Sequence, residues 1–196
     1  MSFETSPAYD RVLADDRNYH IVFLVVGGLF TVLLLLFCVF SWVRFRRARR
    51  HTFERRAYLG FGVTSLVLSL VMAVAVWANV TSVVDPRRTL SGTAFSPVGR
   101  RWLEAGRAEL SPALQRAIDE RLAWQRPKAV ICAVLLVGLV TLTVLLWRSL
   151  LRRSAGRRLL VGAGVLSAAG CVLLMLMVIG NTEGALAPLT LTVIYG

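Results

Sequence analysis

Lysine is nearly missing from this sequence: Lys128 stands alone beside 22 arginines. A bias of that kind points to a GC-rich bacterial coding sequence rather than to a chemical requirement. Cysteine is also sparse, and Cys38, Cys132 and Cys171 lie in different apolar runs. That excludes the closely spaced thiol pairs of membrane disulfide oxidoreductases and leaves the cysteines as small buried residues. Of the two histidines, His20 opens the first apolar run and His51 follows it. They fall on opposite sides of a membrane, so a shared haem or metal site is excluded. The sequence has no Gly-rich phosphate loop, no metal-spaced Cys and His set and no Ser, His and Asp constellation. No cofactor is expected. Nor is there a basic leader followed by a small-residue cleavage site, so the N-terminal segment reads as retained.

Apolar residues dominate what remains. They make up 56% of the 196 residues, and the mean hydropathy is +0.65, far above that of a soluble domain. The expected fold is therefore all-α: one polytopic integral membrane domain with four transmembrane helices in a bundle. The spans read as residues 20–43, 57–84, 129–147 and 159–179. Between the second and third lies a short helical extracytoplasmic region, residues 85–128. Here Ser96-Pro97 and Ser111-Pro112 each open a helix, and Pro127 marks the start of the third span. The C-terminal tail, residues 180–196, alternates Leu189, Leu191, Val193 and Tyr195 with Thr190 and Thr192, the pattern of an extended strand.

Charge sets the orientation. The net charge of +12 would suggest nucleic acid in a soluble protein, but seven arginines crowd into residues 44–56 and five into 148–158, with Glu54 the single acid there. Short arginine-dense loops stay cytoplasmic, which places both termini outside the plasma membrane and makes nucleic acid an unneeded partner. Arg44, Arg46, Arg47, Arg49, Arg50, Arg152, Arg153, Arg157 and Arg158 are expected to face anionic lipid headgroups.

Two small-residue stripes at four-residue spacing, Ser65, Ser69 and Ala73, then Ala163, Ser167 and Cys171, are expected to let helices approach closely. The surfaces expected to receive a partner are the second outer helix with its flanking indoles (Trp102, Leu114, Ile118, Leu122, Trp124) and the tail (Leu189, Leu191, Val193, Tyr195). No ionisable group lies at hydrocarbon depth, which counts against proton-coupled transport. These features lead to a noncatalytic accessory, scaffold or assembly subunit of an envelope complex, partnered by other membrane subunits or by itself. A transport component is the alternative, its polar path formed by Ser65, Ser69, Thr141 and Thr143. A membrane enzyme would have to assemble its site from the outer carboxylates Asp85, Glu104, Glu109, Asp119 and Glu120.

Overall fold

Five of the six prolines open a helix. A proline at the first helical position loses nothing, because the amide it lacks would have had no partner there. The computed structural model describes residues 3–152 and 157–196. Beyond a short 3-10 turn at Phe3–Thr5, it holds α1 (Pro7–Arg47), α2 (Phe53–Val84), α3 (Pro86–Leu90), α4 (Pro97–Ala105), α5 (Pro112–Arg152), α6 (Arg157–Leu186) and α7 (Pro188–Tyr195). There is no strand among the described residues. The residue before each opening proline often supplies the cap: Asp85, Ser96 and Ser111 accept from the amides of Arg88, Gly99 and Leu114 at 3.2, 3.1 and 3.2 Å. At the end of α4, Gly106 adopts φ 68°, the left-handed conformation that stops a helix.

The protein is an all-α, multi-pass membrane protein: α1, α2, α5 and α6 are each long and apolar enough to cross a bilayer. α1 and α5 each run for 41 residues. At 1.5 Å per residue that is about 60 Å, twice the hydrocarbon thickness, so half of each helix is not needed to span it.

Two sequence expectations are corrected. Pro127 does not begin a helix; it lies inside α5, which continues unbroken from Pro112 to Arg152. The lost backbone bond costs about 3 kcal/mol, a cost offset because α5 is anchored on both sides of the proline. Leu114 and Ile118 are buried before it, and Trp147 packs beyond it. Likewise the tail is α7, not a strand. Its buried residues, Leu189, Thr190, Thr192 and Val193, follow helical spacing. An isolated strand would have buried amides and carbonyls without partners, whereas a helix satisfies its own.

The chain divides into two compact units. One, the terminal unit, comprises Met1–Val26, Val76–Val130 and Ile179–Gly196. It has its own hydrophobic core, in which Val12, Leu103, Leu114 and Val193 are fully buried alongside Trp102 and Leu90. Burying side chains of this size contributes roughly 1.5–3 kcal/mol each. α4 and α7 touch at Gly99, where a Cβ would lie 2.5 Å from the Val193 carbonyl oxygen and 2.8 Å from its Cα. The Ser96 amide donates to that same carbonyl at 2.9 Å. The Trp102 indole donates to the Glu109 carbonyl at 2.8 Å, fastening the loop after α4.

The span unit comprises Gly27–Ala75 and Ile131–Val178. Glycines here form notches for indoles. A Cβ on Gly62 would sit 3.2 Å from the Trp42 ring, and one on Gly164 would sit 3.0 Å from the Trp147 ring. The Trp147 indole also donates to the Gly164 carbonyl at 3.3 Å, while its ring meets Phe61 edge-on at 4.5 Å. These contacts join α1 to α2, α2 to α5 and α5 to α6. Most large side chains on the same helices, such as Leu36, Val74, Val137 and Leu166, face outward, as lipid-facing positions do.

Candidate functional site

The terminal unit gathers buried and half-buried polar side chains drawn from four helices, with Asp16 and Glu183 buried and the others half-buried. α1 contributes Asp15, Asp16, Tyr19 and His20, and α2 contributes Asn79. α5 and α6 add Gln125 and Glu183. The i, i+4 spacing brings Asp16 Oδ2 to 3.7 Å from His20 Nε2. On its other side the imidazole bonds to Asn79, with Nδ1 2.6 Å from Oδ1. One turn round α1, Tyr19 faces the Glu183 carboxylate of α6. Gln125 packs beside the next residue of α6, 3.0 Å from where a Cβ on Gly184 would stand. Asp15 accepts the Thr190 amide at 2.7 Å and so caps α7, whose own N-cap residue, Ala187, has no side chain that could do so.

Asp16 and Glu183 are 3% and 4% exposed, yet Asp16 Oδ2 and Glu183 Oε1 lack a hydrogen-bond partner among the described residues, as does Gln125 Oε1. A buried polar atom left unsatisfied costs about 1–3 kcal/mol. Buried ionisable groups in membrane proteins are characteristically retained for a role. Asp16, His20 and Asn79 form one polar set and Tyr19 and Glu183 another, and either can hold a proton or accept a hydrogen-bonding guest. Sequence reading missed it because Glu183 lies past the expected end of the fourth span, and α6 in fact runs on to Leu186. The Asp16 and His20 spacing was the available signal.

The residues singled out from sequence fall into different surroundings. Of the expected partner surface, Trp102, Leu114, Ile118, Leu189 and Val193 are buried in the terminal unit's own core, and Leu122 packs against it. Leu191 is half-buried, while Trp124 and Tyr195 are exposed. The amphipathic face of α5 is thus covered by this chain, and what it leaves outside is Trp124, with the Lys128 ammonium 5.8 Å from its ring centroid. Within the stripes, Ser65 and Ser69 are buried; Ala163, Ser167 and Cys171 are half-buried, and Ala73 is exposed. Thr143 Oγ1 lies 3.5 Å from Cys171 Sγ, joining α5 to α6.

The hydroxyls considered for a polar path bond back to their own helices. Ser65 donates to Phe61, Ser69 to Leu66, Thr141 to Val137 and Thr143 to Leu139, at 2.6 to 2.8 Å. Arg44, Arg46, Arg47, Arg49, Arg50 and Arg152 are exposed. Arg153 falls outside the described residues, as do the side chains of Arg157 and Arg158. Of the outer carboxylates, Asp85 caps α3 and Glu104, Glu109, Asp119 and Glu120 are exposed; Asp119 accepts from Gln115 at 3.1 Å. No metal-holding group of His, Cys, Asp or Glu occurs among the described residues. No known protein family, curated protein or solved structure matches this chain.

Proposed function

We propose that this is a noncatalytic four-span protein of the bacterial plasma membrane that serves as an accessory, scaffold or assembly subunit of a larger envelope complex. Both termini lie on the extracytoplasmic side in this reading, because the arginine-dense stretches at residues 44–56 and 148–158 hold to the cytoplasm. The observation that carries it is the terminal unit. Segments from both ends of the chain and from the α2–α5 connection are consolidated around one hydrophobic core. A folded body of that kind offers a rigid surface, and its exposed residues include Trp124, Tyr195, Arg100, Arg101 and Glu104. Aromatic and arginine side chains are the types that most often anchor a partner.

The test is purification of the tagged protein in mild detergent, with native mass determination of whatever accompanies it. A stoichiometric membrane subunit, lost on combining Trp124→Ala with Tyr195→Ala, supports the reading. Recovery only as a monomer or homo-oligomer across several detergents overturns it.

A second reading, a transport component, is favoured by the buried Asp16 and Glu183 and the half-buried His20. It predicts an ion or proton flux in proteoliposomes that Glu183→Gln abolishes while the protein stays folded. Unchanged flux in that variant would remove the polar cluster from any transport path.

A further inference from the structure

The reversal between α1 and α2 is a tight, charged corner. His51 takes φ 63°, a left-handed conformation that lets the chain turn back. Thr52 then caps α2, its hydroxyl accepting the Arg55 amide at 3.3 Å and donating to the Arg49 carbonyl at 2.8 Å. An open cavity of about 450 Å³ lies at this corner. Its lining has two characters: Phe45 and Leu59 are apolar, whereas Arg50, His51, Arg55 and Arg56 can donate hydrogen bonds. The Arg55 guanidinium rests 4.7 Å from the centroid of the Phe45 ring, which holds the side chain in place. Glu54 is the single acid of residues 44–56 and does not line the cavity. Neither of the ion pairs formed among the described residues, Asp16 with His20 and Asp10 with Arg87, involves this corner. Among the described residues, no ion pair offsets the positive charge here.

We propose that the α1–α2 corner binds the phosphate of an anionic phospholipid, with Arg50, Arg55 and Arg56 on the phosphate oxygens and Phe45 and Leu59 against the glycerol and upper acyl chain. Guanidinium groups present forked donors that match phosphate geometry. A free anion would use only the arginine half of the cavity. The apolar half is made by Phe45 of α1 and Leu59 of α2, both on membrane-spanning helices, so it suits a ligand that is charged at one end and greasy at the other. The same combination recurs at the end of α5, where Leu145, Arg148, Ser149 and Arg152 line a second open cavity of about 430 Å³. Of this corner's set, only Arg50 is among the arginines expected from sequence to face lipid headgroups. Arg55 enters because the turn folds it over Phe45, and Arg56 because it lines the same cavity. The assignment is independent of whether the protein has a partner subunit.

The experiment titrates the full chain, in neutral detergent, with dioleoyl-phosphatidylglycerol and separately with dioleoyl-phosphatidylcholine, and counts bound lipids by native mass spectrometry. The charge-preserving variant R50K/R55K/R56K is compared with R46K/R47K/R49K, which changes as many arginines outside the cavity. The expected result is phosphatidylglycerol held about tenfold more tightly than phosphatidylcholine, with a loss of about tenfold in the first variant and less than about twofold in the second. Phe45→Ala, which keeps every charge, is expected to weaken binding by a few-fold through loss of the Arg55 support.

Equal behaviour of the two lysine variants would show diffuse attraction and overturn the site. Displacement of the lipid by inorganic phosphate or glycerol 1-phosphate at equal concentration would assign the corner to a free phosphate and overturn the lipid. Melting temperatures of all variants are recorded alongside. If R50K/R55K/R56K does not fold, Phe45→Ala decides: binding equal to wild type refutes the proposal.

Discussion

Replacing Gly99 with alanine sets two effects of opposite sign against each other. Gly99 is helical, in the first turn of α4. By propensity alone, alanine would stabilise that helix by up to about 1 kcal/mol. The tertiary contact points the other way: the new Cβ would stand 2.5 Å from the Val193 carbonyl oxygen and 2.8 Å from its Cα, and neither is a flexible side-chain end that can swing aside. Overpacking against backbone costs about 1–3 kcal/mol, and pushing α7 away also strains the 2.9 Å bond from the Ser96 amide to that carbonyl, worth about 1 kcal/mol. The net expectation is a loss of about 1–3 kcal/mol, confined to the contact of α4 with α7. Hydrogen exchange of the Ser96 amide in micelles reads this directly, and its rate should rise by about 5- to 150-fold. Gly60→Ala is the matched control, because nothing lies within 4 Å of the position its Cβ would occupy. Slower Ser96 exchange in Gly99→Ala would mean that propensity wins and that α4 and α7 are not in the close contact described.

Removing the carboxylate that caps α7, by Asp15→Ala, should loosen the C-terminal helix by about 1–2 kcal/mol, seen as faster proteolysis after residue 186; equal cleavage rates would deny the cap its role. In the span unit, Gly164→Val should lower the melting temperature in micelles because Trp147 occupies that notch, whereas Gly162→Val, with nothing within 4 Å, should leave it nearly unchanged. A smaller loss at Gly164 than at Gly162 would contradict the indole contact. For topology, a cysteine placed at Gly92 should react with a membrane-impermeant maleimide in intact cells, and one placed at Arg49 should not. The reverse labelling would invert the assigned orientation.

Span number and helical class follow from long apolar runs and the arginine clusters between them, since each is a local property of the chain. The openings of α4 and α5 were legible for the same reason: Ser96-Pro97 and Ser111-Pro112 carry their own caps. The tail misled because LTLTVIY alternates, and alternation says only which side chains differ, not whether the backbone has a strand to pair with. Here it had none, and Asp15, some 175 residues away, supplied the missing helix cap.

Pro127 misled in the opposite sense. A proline marks a break only where the rest of the helix lacks independent support, and α5 is held on both sides of it. The Asp16, His20 and Glu183 cluster and the close contact at Gly99 depend on segments far apart in sequence meeting at distances of a few ångströms. Sequence by itself therefore determined which segments are apolar enough to cross a membrane and where α4 and α5 begin. Only the tertiary structure decided which polar groups were buried together and which apolar faces were already covered, because burial belongs to the neighbours a residue acquires rather than to the residue.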